Sequence, residues 1–233
     1  VRIAERVRLD GDGGQAALVL LEVSYGDGGL EHYGLLLAAA GPEETAQVRA
    51  HAPQAVLAPL PGGQGEGALV DGLYLPAWPV MLLRLIRERR RVAGLTGTLF
   101  GRPGKLLREL LAAAGELPAP AVLTAQQSNT SVAFGQVLLL KQFRRIEGGC
   151  NPEAEMGRAL TEQAHFAATA PFAGELVYRG ADGGEQTLAL MQGYVPHRES
   201  GWDYALGAVR DYIDIILTLV ADEPPRRLRS ALP

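Results

Sequence analysis

The stretch from Gln126 to Glu162 constrains the fold more than any other part of the sequence. Two short apolar runs are separated by the turn residues 135–136, which predicts a strand hairpin. A glycine-containing loop, Arg144 to Cys150, follows the second strand. Asn151 is then a good N-cap with a proline directly after it, which predicts the start of a helix. The order strand, turn, strand, loop, helix predicts an antiparallel sheet with a helix close to it.

Lys141 is the most unusual residue in this stretch, because lysine is rare in the chain. Of the 22 basic residues, only Lys105 and Lys141 are lysines. Lys141 lies inside the apolar run VLLLKQF, where an ammonium group without a carboxylate partner would be costly to bury. Glu155, in the middle of the following helix, is the expected partner, whereas Glu153 is expected to serve the helix terminus. The alternative is a strand-end lysine whose side chain extends to water, and spacing alone leaves both open.

Four small polar residues fill the expected turn before the first strand of the hairpin: Ser128, Asn129, Thr130 and Ser131. Hydroxyl and amide side chains in such a turn can donate hydrogen bonds to phosphate groups, as backbone amides do in glycine-rich loops. Polar residues before a strand also form ordinary turns. The pattern by itself therefore leaves both interpretations open.

The part of the chain before this stretch predicts strands, a helix and a boundary. Ala17 to Tyr25, the turn Gly26 to Gly29 and Leu30 to Leu37 have the pattern of a hairpin. Pro79 to Val92 has apolar residues at helical spacing and predicts a helix. Two prolines after a glycine make Gly115 to Pro120 the best candidate for a domain boundary.

The part after Asn151 predicts two helices with two strands between them. The helix that begins there should run to about Ala168. Pro171 to Tyr178 and Gln186 to Tyr194 have strand patterns on either side of a glycine-containing turn. Asp203 to Val220 has apolar residues at helical spacing and predicts a final amphipathic helix.

Composition excludes several classes of function. The net charge of −4 gives no reason to expect nucleic acid or an anionic membrane as a partner. No apolar run approaches the ~20 residues that a membrane-spanning helix needs, and no signal segment opens the sequence. Cys150 is the single cysteine, so an intrachain disulfide is excluded and a cytoplasmic location is expected.

The central stretch closely resembles the bacterial maltokinases, which are often fused to trehalose synthase. The resemblance rests on the run QSNTSVAFGQVLLLKQFRRIEGGCNPEAEMGRALTE, which ends at Glu162. Its hallmarks are Gln-Ser-Asn-Thr-Ser, Leu-Lys-x-Phe-Arg-Arg, a loop leading to Asn-Pro, and Glu-x-Gly-Arg-x-Leu-Thr-Glu. Leu188 to Leu206 also resembles the hinge of that family and the helix after it, and Gly101 to Pro103 resembles the end of its N-terminal cap.

The resemblance implies an α+β fold with a cap and a lobe. Residues 1–117 would form a maltokinase-like N-terminal cap subdomain, a curved antiparallel sheet with helices. Residues 118–200 would form a protein-kinase-like small lobe with its hinge, and residues 201–233 a linker helix and tail. The large lobe of the family would be absent from this chain.

The resemblance also implies an activity, the ATP-dependent phosphorylation of maltose to maltose 1-phosphate in trehalose and α-glucan metabolism. ATP and Mg²⁺ would be the cofactors. By position, Lys141 would contact the ATP phosphates, Glu155 would hold Lys141, and residues 128–131 would cover the phosphates. The hinge, which would offer backbone groups to adenine, would be Gln192, Gly193, Tyr194 and Val195.

The sequence departs from the family in the part that carries out the chemistry. None of the four histidines is followed by the Gly-Asp of the family's catalytic loop, and the Asp-Phe-Glu-type metal loop is absent. No catalytic residue and no metal ligand is therefore assigned, and the isolated chain is expected to be inactive. Two alternatives stay open: a stand-alone binding or regulatory module without catalysis, and the same part of a related glucosamine or other sugar kinase.

The resemblance implies several partners. The complete enzyme would bind a nucleotide and a maltose-like sugar, with trehalose synthase as a separate or fused partner. The apolar side of the final helix, Asp203 to Val220, would be exposed without a large lobe to cover it, so self-association is a further expectation.

Overall fold

The chain folds into two compact units, Val1–Val195 and Pro196–Pro233. The computed structural model describes residues 1–11, 13–61, 66–123 and 129–220. Within these ranges the first unit consists of two antiparallel sheets, four α-helices and two short 3-10 helices, and the second contains one α-helix. This mixed architecture, with antiparallel sheets and few helices, confirms the predicted α+β class. The specific arrangement of a cap and a small lobe stays a prediction.

The first sheet has six described strands in the order β1-β2-β3-β5-β4, with β11 beside β3. Leu18 and Leu36, on neighbouring strands, are almost fully buried because their side chains face the core. The turn after β2 places Gly28 at φ 86°, where glycine has no steric penalty, so the predicted hairpin is confirmed. The strands, numbered in chain order, are β1 (Arg2–Gly11), β2 (Gly14–Ser24), β3 (Leu30–Ala40), β4 (Val56–Leu60), β5 (Gly67–Asp71) and β11 (Arg145–Ile146).

The second sheet has seven described strands in the order β6-β7-β12-β13-β10-β9-β8, each antiparallel to its neighbours. The predicted strand pairs around Gly135 and around residue 182 are confirmed as β9–β10 and β12–β13. The strands are β6 (Arg91–Ala93), β7 (Thr98–Pro103), β8 (Pro120–Val122), β9 (Asn129–Phe134), β10 (Leu138–Phe143), β12 (Phe172–Arg179) and β13 (Glu185–Gly193).

The second sheet draws its strands from both sides of the predicted boundary at residue 117. β6 and β7 come from the segment assigned to the cap, yet β7 pairs with β12 along its whole length. One apolar core is continuous from the first sheet through α2 to the second sheet. Both parts of the predicted division thus contribute strands to the second sheet, and the division into a cap and a lobe stays a prediction.

The helices of the first unit pack on these sheets. α2 carries Trp78, Leu82, Leu85 and Ile86 on its buried side, each exposed by 2% or less, as expected from the 3.6-residue period. The helices are α1 (Pro42–His51), α2 (Ala77–Arg87), α3 (Leu107–Ala114) and α4 (Pro152–Glu162).

α2 ends before residue 92, where the sequence pattern placed its end. The N–H of Arg89 donates to the carbonyl oxygen of Ile86 (3.2 Å), and the N–H of Arg90 donates to that of Leu85 (3.0 Å). These two bonds form a Schellman motif, which ends a helix through one residue in the left-handed region. That residue is Arg89, with φ 54°. The chain then leaves the helix and enters β6.

α4 also ends earlier than predicted, at Glu162 rather than near Ala168. The hydroxyl of Thr161 accepts a hydrogen bond from the backbone N–H of Phe172 (2.9 Å), the first residue of β12. His165 lies between them at φ 50°, in the left-handed region. The chain therefore leaves the helix at Glu162 and returns to the sheet at Phe172.

Glu5 joins the two sheets. This buried residue of β1 accepts hydrogen bonds from the backbone N–H groups of Leu95 (2.6 Å) and Gly97 (2.9 Å), which belong to the turn between β6 and β7. Its carboxylate also accepts from Thr96 (N–H 3.0 Å, hydroxyl 2.8 Å) and from the Tyr178 hydroxyl (2.5 Å). Burial raises the pKa of Glu5, but hydrogen bonds from Tyr178, Thr96 and Leu95 outweigh burial and lower that pKa to about 2.

The second unit contains α5 (Gly201–Val220), which confirms the predicted final helix. Ser200 caps it, because its hydroxyl oxygen accepts a hydrogen bond from the N–H of Asp203 (3.1 Å). Several large apolar side chains of this helix are exposed, among them Trp202 and Tyr212. Across the residues that the structure describes, no helix is both long enough and apolar enough to cross a membrane.

Candidate functional site

One face of the second sheet carries Lys141 of the central stretch beside charged residues from other strands. Five residues pair directly across neighbouring strands and therefore project from the same face. α4 reaches this face through ion pairs from its own side chains. The five residues, in order from β7 to β9, are Arg102, Glu175, Leu190, Lys141 and Ser131.

Lys141 forms an ion pair with Glu153 of α4. The side chain of Lys141 is only 19% exposed and that of Glu153 is 40% exposed, so the ammonium group is partly buried and has a partner. The pairing that we expected, with Glu155, is wrong: Glu155 is exposed to solvent. Residues that are two positions apart in a helix are separated by about 200° around its axis. Glu153 and Glu155 therefore lie on nearly opposite sides of α4.

Asn129, Thr130 and Ser131 are not in a turn. They are strand residues of β9, paired in register with residues 143, 142 and 141 of β10. The Thr130 hydroxyl accepts hydrogen bonds from the Arg144 guanidinium (2.9 and 2.6 Å), and Arg144 also pairs with Asp71. The expected turn is therefore wrong at these three positions, because they lie in a strand, and their contact with phosphate stays a prediction. Ser128 lies outside the described residues.

The hinge residues are at the end of β13. Gln192 is a strand residue between β10 and β12, paired with Leu139 on one side. The N–H of Gly193 donates to the carbonyl oxygen of residue 171 (2.8 Å), and the N–H of Tyr194 donates to that of residue 137 (2.9 Å). These two amides are thus used within the protein, and the contact of the hinge backbone with adenine that the resemblance implies stays a prediction. Val195 follows them with a half-exposed side chain.

Glu175 is the centre of a second ionic cluster on the same face of the sheet. Its carboxylate is completely buried and pairs with Arg102 of β7 (2.8 Å) and with Arg158 of α4. Arg102 extends further to Glu185 (2.8 Å), which also pairs with Arg179 (2.5 Å). The two guanidinium groups hold the pKa of Glu185 below its usual value. α4 is therefore attached to the sheet at Glu175 as well as at Lys141.

Sequence reasoning assigned Glu153 to the helix terminus and gave no role to Glu175, Arg102 or Arg158. One feature could have revealed Glu175, because it is a lone carboxylate within the apolar strand FAGELVYR. The argument that assigned a partner to Lys141 applies equally to a carboxylate in such a position. It would have predicted one or more arginine partners, although their identity depends on contacts that are distant in sequence.

The described ranges contain no group of three or more histidine, cysteine, aspartate or glutamate side chains arranged to hold a metal ion. Cys150 is a free, exposed thiol in the loop before α4. On the same face of the second sheet, Lys141 is a partly buried cation that Glu153 holds through an ion pair.

No protein-family model matches the chain. A solved structure of a glucosamine kinase in complex with glucosamine, ADP and inorganic phosphate is similar, with 18% sequence identity and a TM-score of 0.45. That similarity covers 94% of this chain and 42% of the glucosamine kinase chain, so this chain spans less than half the length of that enzyme. The similarity is to a sugar kinase and not to a maltokinase in particular.

Proposed function

We propose that this chain supplies the nucleotide-phosphate-binding part of an ATP-dependent sugar kinase. In this proposal Lys141 is the cation that contacts the phosphates, and Glu153 holds the Lys141 side chain in position. The observation that carries the proposal is the ion pair between a lysine of a central strand and a glutamate of the adjacent helix. Kinase-like lobes use this arrangement to neutralise the charge on nucleotide phosphates.

Burial of Lys141 supports this role. The side chain of Lys141 is only 19% exposed within the strand LLLKQF, and it has the carboxylate partner that a partly buried ammonium group requires. A lysine is a compact point charge on a flexible stem, which suits contact with a phosphate oxygen. Glu153 is more exposed than Lys141, so a phosphate group can approach the ion pair from the solvent side.

The residues present fit the phosphate end of ATP better than the adenine end. Lys141 offers a charge for the phosphates, whereas the N–H groups of Gly193 and Tyr194 already have carbonyl partners. We therefore do not assign the adenine contact to those two amides. When bound, ATP would supply the transferable phosphoryl group, and this chain's own contribution is to bind and orient its phosphates.

The finer features of the proposal rest on the maltokinase resemblance of the run ending at Glu162. They are Mg²⁺ as the second cofactor, a maltose-like sugar as acceptor, and an association with trehalose synthase. We further propose that the chain alone binds ATP weakly and does not phosphorylate a sugar, because no residue of it is assigned as general base. A non-catalytic binding module would also bind ATP weakly, and it is one outcome of the test.

Isothermal titration with ATP, in the presence and absence of Mg²⁺, tests the proposal on the wild-type chain and on Lys141→Ala. We expect the affinity to fall at least tenfold in Lys141→Ala. Arg90→Gln is the matched control, since it removes an exposed cation away from this face and should bind like the wild type. Equal affinity in wild type and Lys141→Ala would refute the site. Turnover of maltose by the isolated chain would refute the proposed lack of activity.

A further inference from the structure

The C-terminal end of α2 contains an arginine in a position that glycine normally occupies. Arg89 is the left-handed residue of the Schellman motif, with φ 54°. A side chain in this region is strained, and glycine would remove the strain without changing the hydrogen bonds of the motif. Most other described residues with positive φ are glycines, such as Gly28, and His165 is the one further exception among them. A strained residue that persists indicates that its side chain has a role.

The side chain of Arg89 lines a cleft of about 810 Å³ on the first unit. The cleft lies between the end of α2, the segment after β7, and α3. Three further cations line it, Arg87, Lys105 and Arg108, against a single carboxylate, Glu116. The whole chain carries a net charge of −4, so this concentration of positive charge is local and opposite in sign to the rest of the molecule.

Most of these cations have no counter-ion within the protein. Arg87 pairs with Glu88 (3.0 Å). Over the ranges that the structure describes, the side chains of Arg89, Lys105 and Arg108 form neither an ion pair nor a hydrogen bond. Like charges that line one cleft repel one another, and a bound anion would relieve that repulsion. Lys105 is also one of only two lysines in the chain.

The remaining walls of the cleft indicate the kind of anion. Leu111 and Leu117, both partly buried, line it together with Pro103. Sites of this size that combine apolar walls with a few charged groups are typical of small molecules rather than of extended polymers. Arginine forks bind the oxygens of phosphate and of carboxylate groups in a bidentate geometry. A phosphate group carries up to two negative charges, so it offsets the repulsion among several cations better than a single carboxylate does.

We propose that this cleft is a second anion site that binds a small phosphorylated molecule. It is separate from the site proposed for the ATP phosphates, because no residue of the Lys141–Glu153 pair or of the Glu175 cluster lines it. The proposal does not depend on the proposed function. Its ligand is defined by its phosphate chemistry, which both a phosphate ester and free pyrophosphate provide.

The test is isothermal titration of the full chain with inorganic pyrophosphate and with glucose 6-phosphate, at low salt. Citrate is the polycarboxylate comparison. We expect saturable binding of a phosphate compound that is weakened at least tenfold by Arg89→Gly and by Arg108→Gln. Arg90→Gln is the control for general loss of charge, because Arg90 adjoins Arg89 but does not line the cleft. Tighter binding of glucose 6-phosphate identifies an ester site, and tighter binding of pyrophosphate identifies a site for free polyphosphate.

Arg89→Gly separates a binding role from a structural one. Glycine relieves the strained backbone, so the melting temperature should stay unchanged or rise while the affinity falls. Lys141→Ala should bind the phosphate compound like the wild type, which distinguishes this site from the proposed nucleotide site. The proposal is overturned by wild-type affinity in both Arg89→Gly and Arg108→Gln, or by equal binding of citrate. It is also overturned by loss of binding in Lys141→Ala alone, or by the absence of saturable binding in the wild type.

Discussion

Arg158 of α4 pairs with Glu175 of β12, and the carboxylate of Glu175 is completely buried beneath the helix. The guanidinium group of Arg158 also lies over the ring of Phe172, 5.0 Å from its centre. Glu153, little more than one turn earlier in α4, pairs with Lys141. α4 is therefore attached to the sheet by two ion pairs of opposite polarity. This arrangement fixes both the rotation of the helix and its position along the strands.

Glu175→Gln should destabilise the protein strongly. The substitution keeps the shape of the side chain but removes the charge that Arg102 and Arg158 share, and loss of one partner of a buried ion pair typically costs about 3–5 kcal/mol. Both arginines are partly exposed, with 35% and 29% of their side chains accessible. Because solvent screens them, we expect the lower end, about 3 kcal/mol, in the free energy of unfolding measured with urea. Glu185→Gln, in a carboxylate that is 31% exposed, should cost about 1 kcal/mol or less. Equal effects of the two substitutions would contradict the central role of Glu175.

Glu5 predicts a dependence of stability on pH. Its pKa is about 2 in the folded protein, below the usual 4.5. The ionised carboxylate therefore stabilises the fold above pH 4.5, and this contribution is lost as the pH falls from 4.5 to about 2. The difference in pKa corresponds to about 3 kcal/mol. Glu5→Gln should be less stable than the wild type at pH 7 by about this amount, and the two should converge near pH 2.

Urea unfolding of both proteins between pH 7 and pH 2 measures this convergence. Glu109→Gln, in an exposed residue of α3, is the control and should follow the wild type at every pH. A difference in the free energy of unfolding between wild type and Glu5→Gln that stays constant from pH 7 to pH 2 would contradict this prediction. It would show that the hydrogen bonds do not stabilise the ionised form of the carboxylate.

Gly101→Ala should also be strongly destabilising, because β7 and α2 touch through their backbones at this position. A Cβ atom on Gly101 would lie 2.1 Å from the carbonyl oxygen of Leu85 and 2.4 Å from the Cα of Ile86. Backbone atoms cannot move aside as a side chain can, so we expect a loss of more than about 2 kcal/mol in the free energy of unfolding. Gly26→Ala, where a Cβ would meet no atom within 4 Å, should change stability little. A small effect of Gly101→Ala would mean that α2 and β7 separate easily.

The local elements could be predicted from the sequence because their determinants are local. The hairpin at residues 17–37 depends on two apolar runs and an Asp-Gly turn. The start of α4 depends on Asn151, whose side chain accepts a hydrogen bond from the N–H of Glu153 (2.9 Å). The end of α2 was harder, because the left-handed residue there is Arg89 and not the glycine that marks most helix ends.

The partner of Lys141 could not be predicted, because the rotation of α4 is not encoded in hydrophobicity. The side chains that α4 buries are small, Ala154, Gly157 and Thr161, while the larger Met156 is 62% exposed. Hydrophobicity therefore gives no clear choice between Glu153 and Glu155 as the partner of Lys141. The pairing of β7 with β12 likewise joins segments about 70 residues apart in sequence, and no feature of either segment identifies the other as its partner.

Glu153→Gln and Glu155→Gln distinguish the two glutamates of α4 in nucleotide binding. If Lys141 contacts the ATP phosphates, removing the charge of Glu153 leaves the ammonium group free to adopt other positions. ATP affinity, measured by isothermal titration, should fall about tenfold, while Glu155→Gln should bind like the wild type because Glu155 faces solvent. The double variant Lys141→Ala, Glu153→Gln should be no weaker than Lys141→Ala alone, since Glu153 acts only through Lys141. A further loss in the double variant would mean that Glu153 affects ATP by a route that does not involve this lysine.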